Sequence, residues 1–151
     1  RYRLAEAADI TAMAGLRVRE GGTEAYWGER IAAYLEGNHH PQQALAARVA
    51  YVAECEGTVV GFVAGHLSHR FECQGELQWI NVAPEIRRRG VATALLQLLT
   101  QWFRNHDADR ICVNVAEENA VARAFYLRHG GVVLQPHWLL FEHLCPKARI
   151  G

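Results

Sequence analysis

The sequence has no surplus of either charge: Lys and Arg together number 16, and so do Asp and Glu. A nucleic-acid-binding domain usually carries a basic excess, so the balance argues against that class. No apolar run approaches the ~20 residues that cross a bilayer as a helix. No signal-peptide pattern is visible, so a membrane partner is not expected. Cysteines are few, 4 in 151 residues. Cys55, Cys73, Cys112 and Cys145 lie far apart, with no C-x-x-C pair. Buried free thiols in a reducing, cytoplasmic compartment are expected in place of a disulfide framework. His66 and His69 with Cys73 make a poor metal site, because H-x-x-H on a strand sends the two imidazoles to opposite faces. There is no repeat, no low-complexity segment and no Pro/Gly/Ser linker, so residues 1–151 are expected to form one domain.

What is present is ordinary for a globular chain, 50% hydrophobic and 21% charged. At this length about two-thirds of the unfolded surface is buried on folding. Residues 2–6 predict a short edge strand. Asp9 is placed to cap a helix through about Glu20, which Gly21 and Gly22 break. Thr23 can cap a second helix bearing Tyr26, Ile31, Tyr34 and Leu35, ended by Gly37-Asn38. Residues 49–53 and 59–64 are β-rich and flank the turn signal Glu56-Gly57, which predicts a hairpin. A strand over 76–82 follows, then a helix over about 90–106 with apolar positions 91, 95, 98, 99 and 102. A strand over 110–115, a helix over 119–129 stopped by Gly130-Gly131, and strands at 132–133 and 138–141 complete the order. Hairpins followed by strand–helix alternation predict an α+β (mixed α/β) fold, with about four helices covering a mixed sheet.

The strand over 76–82 is irregular. Leu77 and Trp79 alternate with the polar Glu76 and Gln78, but Ile80 and Val82 then flank the polar Asn81. A two-residue period cannot slip without an inserted residue, so a β-bulge near Trp79–Asn81 is expected. A strand buried on both faces is the alternative, since phase then carries little information.

After Pro84 come three arginines, Arg87 to Arg89, then Gly90 and an apolar run. The first amides of a helix have no internal partner and carry partial positive charge. Glycine admits a ligand close to the backbone, and arginines add charge and forked donors. The combination suits a phosphate or pyrophosphate, with a solvated basic turn as the plainer alternative. Neither a Walker A loop nor G-x-G-x-x-G is present.

Val82-Ala-Pro-Glu-Ile-Arg87-Arg-Arg-Gly90-Val-Ala92-Thr-Ala-Leu-Leu resembles the [QR]-x-x-G-x-[GA] signature of the GNAT superfamily, the acetyl-CoA-dependent N-acetyltransferases. Asn119-Ala-Val-Ala122-Arg-Ala-Phe125-Tyr126-Leu-Arg-His-Gly130 resembles that superfamily's N-x-x-A-x-x-F-Y-x-x-x-G helix. The resemblance covers about residues 49–131, and the first 48 residues fit by pattern only. It implies a central, mixed, mostly antiparallel sheet of six to seven strands with the bulge at the cofactor cleft. It implies acetyl-CoA as co-substrate and no metal. Backbone amides around Arg88 to Ala92 would hold the pyrophosphate of coenzyme A, with Arg87, Arg89, Gly90, Val91 and Thr93 in the same turn. Ile80 and Val82 would pair with the pantetheine arm, one amide polarising the thioester carbonyl. Asn119 would contact the pantetheine side, on the helix that also carries Ala122 and Phe125. Tyr126 would protonate the leaving thiolate, the alternative being a core aromatic. Glu76, at the start of the bulged strand, resembles the glutamate base of histone-type members. A solvent-exposed or substrate-binding carboxylate is the alternative. Gly131 departs from the family, which commonly has an aromatic there, and looser packing under the sheet is expected.

The acceptor would meet the first two helices, the hairpin around 65–75 and the last strands. Glu20, Glu24, Tyr26, Trp27, Tyr34, His66, His69, Glu76, Trp79, His137 and Trp138 are available. Aromatics with carboxylates suit a cationic amine, though a packed helical cover would contain the same residues. A small-molecule amine is expected, aminoglycosides included; a protein or peptide amine is the alternative. A non-catalytic acyl-CoA sensor is the alternative of another class. Residues 138–144 are apolar on both sides, so a free edge there and a homodimer are expected.

Overall fold

The computed structural model describes residues 1–37 and 46–144. The expectations placed on Asn38 and Cys145 lie outside them. The elements run β1 (Tyr2–Leu4), α1 (Ile10–Arg17), α2 (Glu24–Glu36), β2 (Arg48–Cys55), β3 (Thr58–Leu67), β4 (Gly75–Val82), α3 (Val91–Asn105), β5 (Ile111–Asn114), α4 (Ala120–Arg128), β6 (Val132–Gln135) and β7 (Trp138–Phe141). The seven strands form one sheet in the order β1-β2-β3-β4-β5-β7-β6. Its one parallel pair is β4 with β5. Among the described residues no helix is long and apolar enough to cross a membrane.

Both faces of the sheet are covered. Met13, Leu16, Ile31 and Tyr34 from α1 and α2 pack with Val52, Phe62 and Trp79. On the other face Leu95, Leu99 and Phe103 from α3, and Tyr126 from α4, pack with Val63, Leu77, Ile111 and Phe141. Thr23 caps α2 as expected, its Oγ1 accepting the Tyr26 N–H at 3.1 Å. Asp9 stands at the start of α1 but does not cap it. Its carboxylate accepts both Nη atoms of Arg3, at 2.8 and 3.0 Å, and the Glu6 N–H at 2.7 Å. The arginine on the neighbouring strand outcompetes the helix amides for it. The helix expected to reach Glu20 ends at Arg17, and a 3-10 turn covers Val18–Glu20.

Four other expectations are corrected. Cys55 is exposed, because it ends β2 at the hairpin, while Cys73 and Cys112 are buried. His69 lies beyond the end of β3, so the two histidines do not share a strand. The strand Trp138–Phe141 is not an edge, since β5 and β6 pair with it on either side. Gly131 does not loosen the packing. A Cβ there would stand 3.0 Å from the Tyr126 carbonyl oxygen and 3.3 Å from the Phe141 ring, which already fills the space.

Candidate active site

The centre of the sheet opens at β4. Parallel pairing with β5 runs from Gly75 opposite Ile111 to Leu77 opposite Val113, and no further. Pairing with β3 continues to Val82 opposite Gly61. The bulge is present, but it falls at Gln78. Trp79 faces Ala64 and Leu77 faces Gly65, which leaves Gln78 as the extra residue. The inserted residue turns Leu77 and Trp79 to opposite faces, one to the α3 core and the other to the α1–α2 core. Hydropathy misplaced it because apolar residues are buried on both faces and do not mark phase. A bulge bends its strand, and here β4 parts from β5 at that residue. Ala83 donates to Val60 O at 2.8 Å. By alternation the amides of Ile80 and Val82 point away from β3, along the edge that β5 has left.

Past this edge the chain turns into α3. Arg88 has φ 68° and Gly90 φ 81°, both left-handed, so the chain doubles back just before the helix. That conformation costs glycine nothing and strains an L side chain. Arg87, Arg88, Arg89 and Gly90 are exposed, while Val91, Ala92 and Thr93 are half-buried. The first helical hydrogen bond is from Ala94 to Gly90 O at 3.0 Å, and no side chain caps the helix. The amides of residues 91–93 are thus available to an anion. His129, to which sequence reasoning gave no role, closes in from α4: its Nε2 lies 3.4 Å from Thr93 Oγ1. Burial and the Arg128 charge lower its pKa.

Tyr126 is 5% exposed and sits edge-on to Phe125 and Phe141. Burial raises its pKa well above the tyrosine range, the Arg17 charge opposes that rise, and Glu20 adds to it. Arg17 lies on the opposite, α1–α2 side of the sheet, so Tyr126 is coupled to both faces. Asn119 caps α4, its Oδ1 accepting the Ala122 N–H at 3.1 Å, while its Nδ2 donates to Glu20 Oε1 at 3.2 Å. Ala122 and Phe125 are half-buried on the same helix.

Glu76 is 5% exposed and belongs to a buried cluster on the α1–α2 side. Its Oε1 accepts from Arg70 Nε and Ser68 Oγ, each at 3.4 Å. His66 Nε2 also lies 3.4 Å away, but off the geometry of a directed hydrogen bond, while His66 Nδ1 meets Tyr34 Oη at 2.7 Å. Desolvation raises the Glu76 pKa, yet His66 and Arg70 together outweigh it and the net shift is downward. A depressed carboxylate pKa contributes stability above the unfolded value of 4.5, lost as pH falls through the folded value. Glu76→Gln is expected to cost about 1–3 kcal/mol at pH 7. It should also flatten the fall of melting temperature below pH 4.5. Equal acid limbs for the two proteins would remove this role.

The aromatics expected to cage a cationic acceptor already hold cations of the chain itself. The Arg17 guanidinium lies 4.3 Å from the Trp27 ring centroid and 5.8 Å from that of Trp79. Arg30 lies 5.6 Å from both Tyr26 and Trp27. Arg17 Nη1 donates to Asn81 Oδ1 at 3.1 Å, and Asn81 Nδ2 donates to Glu20 Oε2 at 3.4 Å. Glu20 therefore joins the 3-10 turn after α1 to Asn81 on β4 and to Asn119 at the head of α4. Arg17 had no signal in the sequence, and Asn81 showed only as a break in the alternation, because their contact joins residues 64 apart. Of the other acceptor candidates, Tyr34, His66, Glu76 and Trp79 gather on the α1–α2 side, and Trp138, edge-on to Phe71, is joined to Glu76 through Arg70, whose guanidinium lies 4.9 Å from its ring centroid. A separate concavity lined by Thr100, Arg104, Asp109 and His143 lies toward the far end of α3 and does not include these residues.

Residues 19–131 match the acetyltransferase (GNAT) family. An uncharacterised N-acetyltransferase of Methanocaldococcus jannaschii is 36% identical over 81 residues, which are 53% of this chain and 50% of that protein. The chain thus spans about half the length of this curated relative. PaiA N-acetyltransferase from Thermoplasma acidophilum, solved in complex with coenzyme A, superposes with a TM-score of 0.68 at 16% identity, covering 93% of this chain and 96% of that one. An aminoglycoside 6'-N-acetyltransferase from Acinetobacter haemolyticus gives a TM-score of 0.70 at 18% identity, covering 89% and 92%. At these identities the two structures speak for the fold alone.

Proposed function

The chain belongs to the acetyltransferase (GNAT) family, and from that membership we propose that it is an N-acetyltransferase moving an acetyl group from acetyl-CoA to the primary amine of a small molecule. The observation that carries this is the coincidence of three features at one place. They are the β4 edge freed beyond Leu77, the uncapped start of α3, and Tyr126 in the core that Val82 and Val91 share. The helix-start amides, with Arg87 to Arg89 flanking, suit the pyrophosphate, and the Ile80 and Val82 amides suit the amide-bearing arm.

Bound acetyl-CoA supplies a thioester whose carbonyl carbon an amine attacks, with loss of the thiolate. The Val82 amide is assigned to the oxyanion that develops on the carbonyl. Tyr126, kept protonated by burial, is assigned the proton that the thiolate takes. An alkyl ammonium, with a pKa near ~10, must first lose a proton. We keep Glu76 on this side of the reaction, acting at a remove. Its carboxylate, already engaged by Arg70 and Ser68, draws the proton away through water.

A small acceptor is favoured over a protein because the Glu20 links to Asn81 and Asn119 tie the end of α1 across the opening. The homodimer expected from the sequence finds its candidate edge in β6, where Val132 and Val133 are exposed, and sedimentation would decide it. Incubation with acetyl-CoA and a panel of amines should release thiol with at least one small amine. Tight coenzyme A binding without turnover on any amine would favour the sensor instead. Turnover confined to peptide amines would favour the protein-acetylating alternative.

A further inference from the structure

Arg17 is a largely buried cation to which no carboxylate is bonded; Glu20 acts on it only through its charge. Its Nη1 is bonded to the neutral amide of Asn81, and its Nε is buried with no hydrogen-bond partner. No carboxylate among the described residues forms an ion pair with it. Glu20, the nearest candidate, spends its oxygens on Asn81 and Asn119. Arg30 adds a second guanidinium beside the same indole. Burying a charge without a partner is expensive. A guanidinium kept in this state, packed on Trp27 and bonded to Asn81 of β4, fits a partner that arrives with the ligand. The coenzyme A phosphates are not that partner. Their proposed seat is the start of α3 on the opposite face of the sheet, whereas Arg17 packs among Trp27 and Trp79 on the α1–α2 face.

We propose that Arg17 anchors an anionic group of the acceptor, and that the acceptor is a small amine bearing a carboxylate. The carboxylate lies on Arg17, and the amine is directed toward Glu20 and Tyr126. This rests on the acetyl-transfer function above and narrows its acceptor. The Arg17 guanidinium disfavours a polycation such as an aminoglycoside, and a bound carboxylate supplies the directly bonded anion that Arg17 lacks.

The test compares common α-amino acids with their primary amides, which keep the amine and shape but lose the anion. Initial thiol release is measured with acetyl-CoA for the parent, Arg17→Lys and Arg17→Met. Binding of acid and amide is measured by calorimetry on the protein saturated with coenzyme A. The parent is expected to favour the best acid over its amide by about ten- to a hundredfold, the usual range for a charge-assisted pair. Arg17→Met should bring that ratio close to one, with Arg17→Lys between. Melting temperatures within a few degrees show that the variants are folded. Equal use of acid and amide by the parent overturns the inference while leaving acetyl transfer standing. So does an equal loss on both substrates in Arg17→Met. If no amine releases thiol, the proposed function fails and calorimetry decides the anchor alone. Acid binding abolished by Arg17→Met supports it, and absence of acid binding to the parent overturns it.

Discussion

Replacing Tyr126 with Phe is expected to lower kcat by about a hundredfold, within the range general acids contribute. Coenzyme A affinity should stay within about twofold, because the ring contacts with Phe125 and Phe141 survive the loss of one oxygen. The raised pKa also fixes a pH signature. The folded form holds the phenolic proton more tightly than the unfolded form, so Tyr126 remains a donor above pH 10, its ordinary value. Parent activity should therefore show no basic loss from this group below that value. The stability it contributes persists below that pH and is lost as pH rises through the folded pKa. A Tyr126→Phe enzyme with parental kcat on a good substrate would remove the acid assignment.

Deleting Gln78 is expected to cost the free edge of β4 more than the fold. Leu77 faces Gly65 and Trp79 faces the adjacent Ala64, so without the extra residue the two become neighbours in a regular strand and keep their opposite faces. Trp79 stays with the α1–α2 core and Val82 with the α3 core. What is lost is the bend at which β4 parts from β5. Coenzyme A affinity should therefore fall about tenfold or more, a loss of ~1.4 kcal/mol or more, while stability changes by no more than about 2 kcal/mol. Gln78→Ala keeps the residue count and should leave coenzyme A affinity within about twofold, at a stability cost below about 1 kcal/mol. Calorimetry with coenzyme A and urea unfolding of the two variants make the comparison. A deletion variant with parental coenzyme A affinity would show that the bulge does not free the edge.

These two residues mark what was legible in the sequence. The helix that carries Tyr126 was, because its cap, Asn119, and its stop, Gly130, are written nearby. The strands and helices were also legible, through local periodicity and turns such as Glu56-Gly57. The bulge was legible in kind but not in place, since a sheet covered on both faces blurs the alternation that locates it. The acceptor side was not legible. An unpaired guanidinium is defined by what fails to approach it, and the Glu20 link to Asn119 joins residues 99 apart. Nor could composition tell that Trp27 would be stacked by the chain's own arginines.

The free edge of β4 has a thermodynamic side as well. If the amides of Ile80 and Val82 pair with a pantetheine arm, as proposed, the cofactor becomes a structural member of the sheet as well as a reactant. Folding and cofactor binding are then linked equilibria, and saturation at a hundredfold over Kd would add about 2.7 kcal/mol to the folded state. The chain's resistance to unfolding would in that case rise and fall with the supply of its acyl donor.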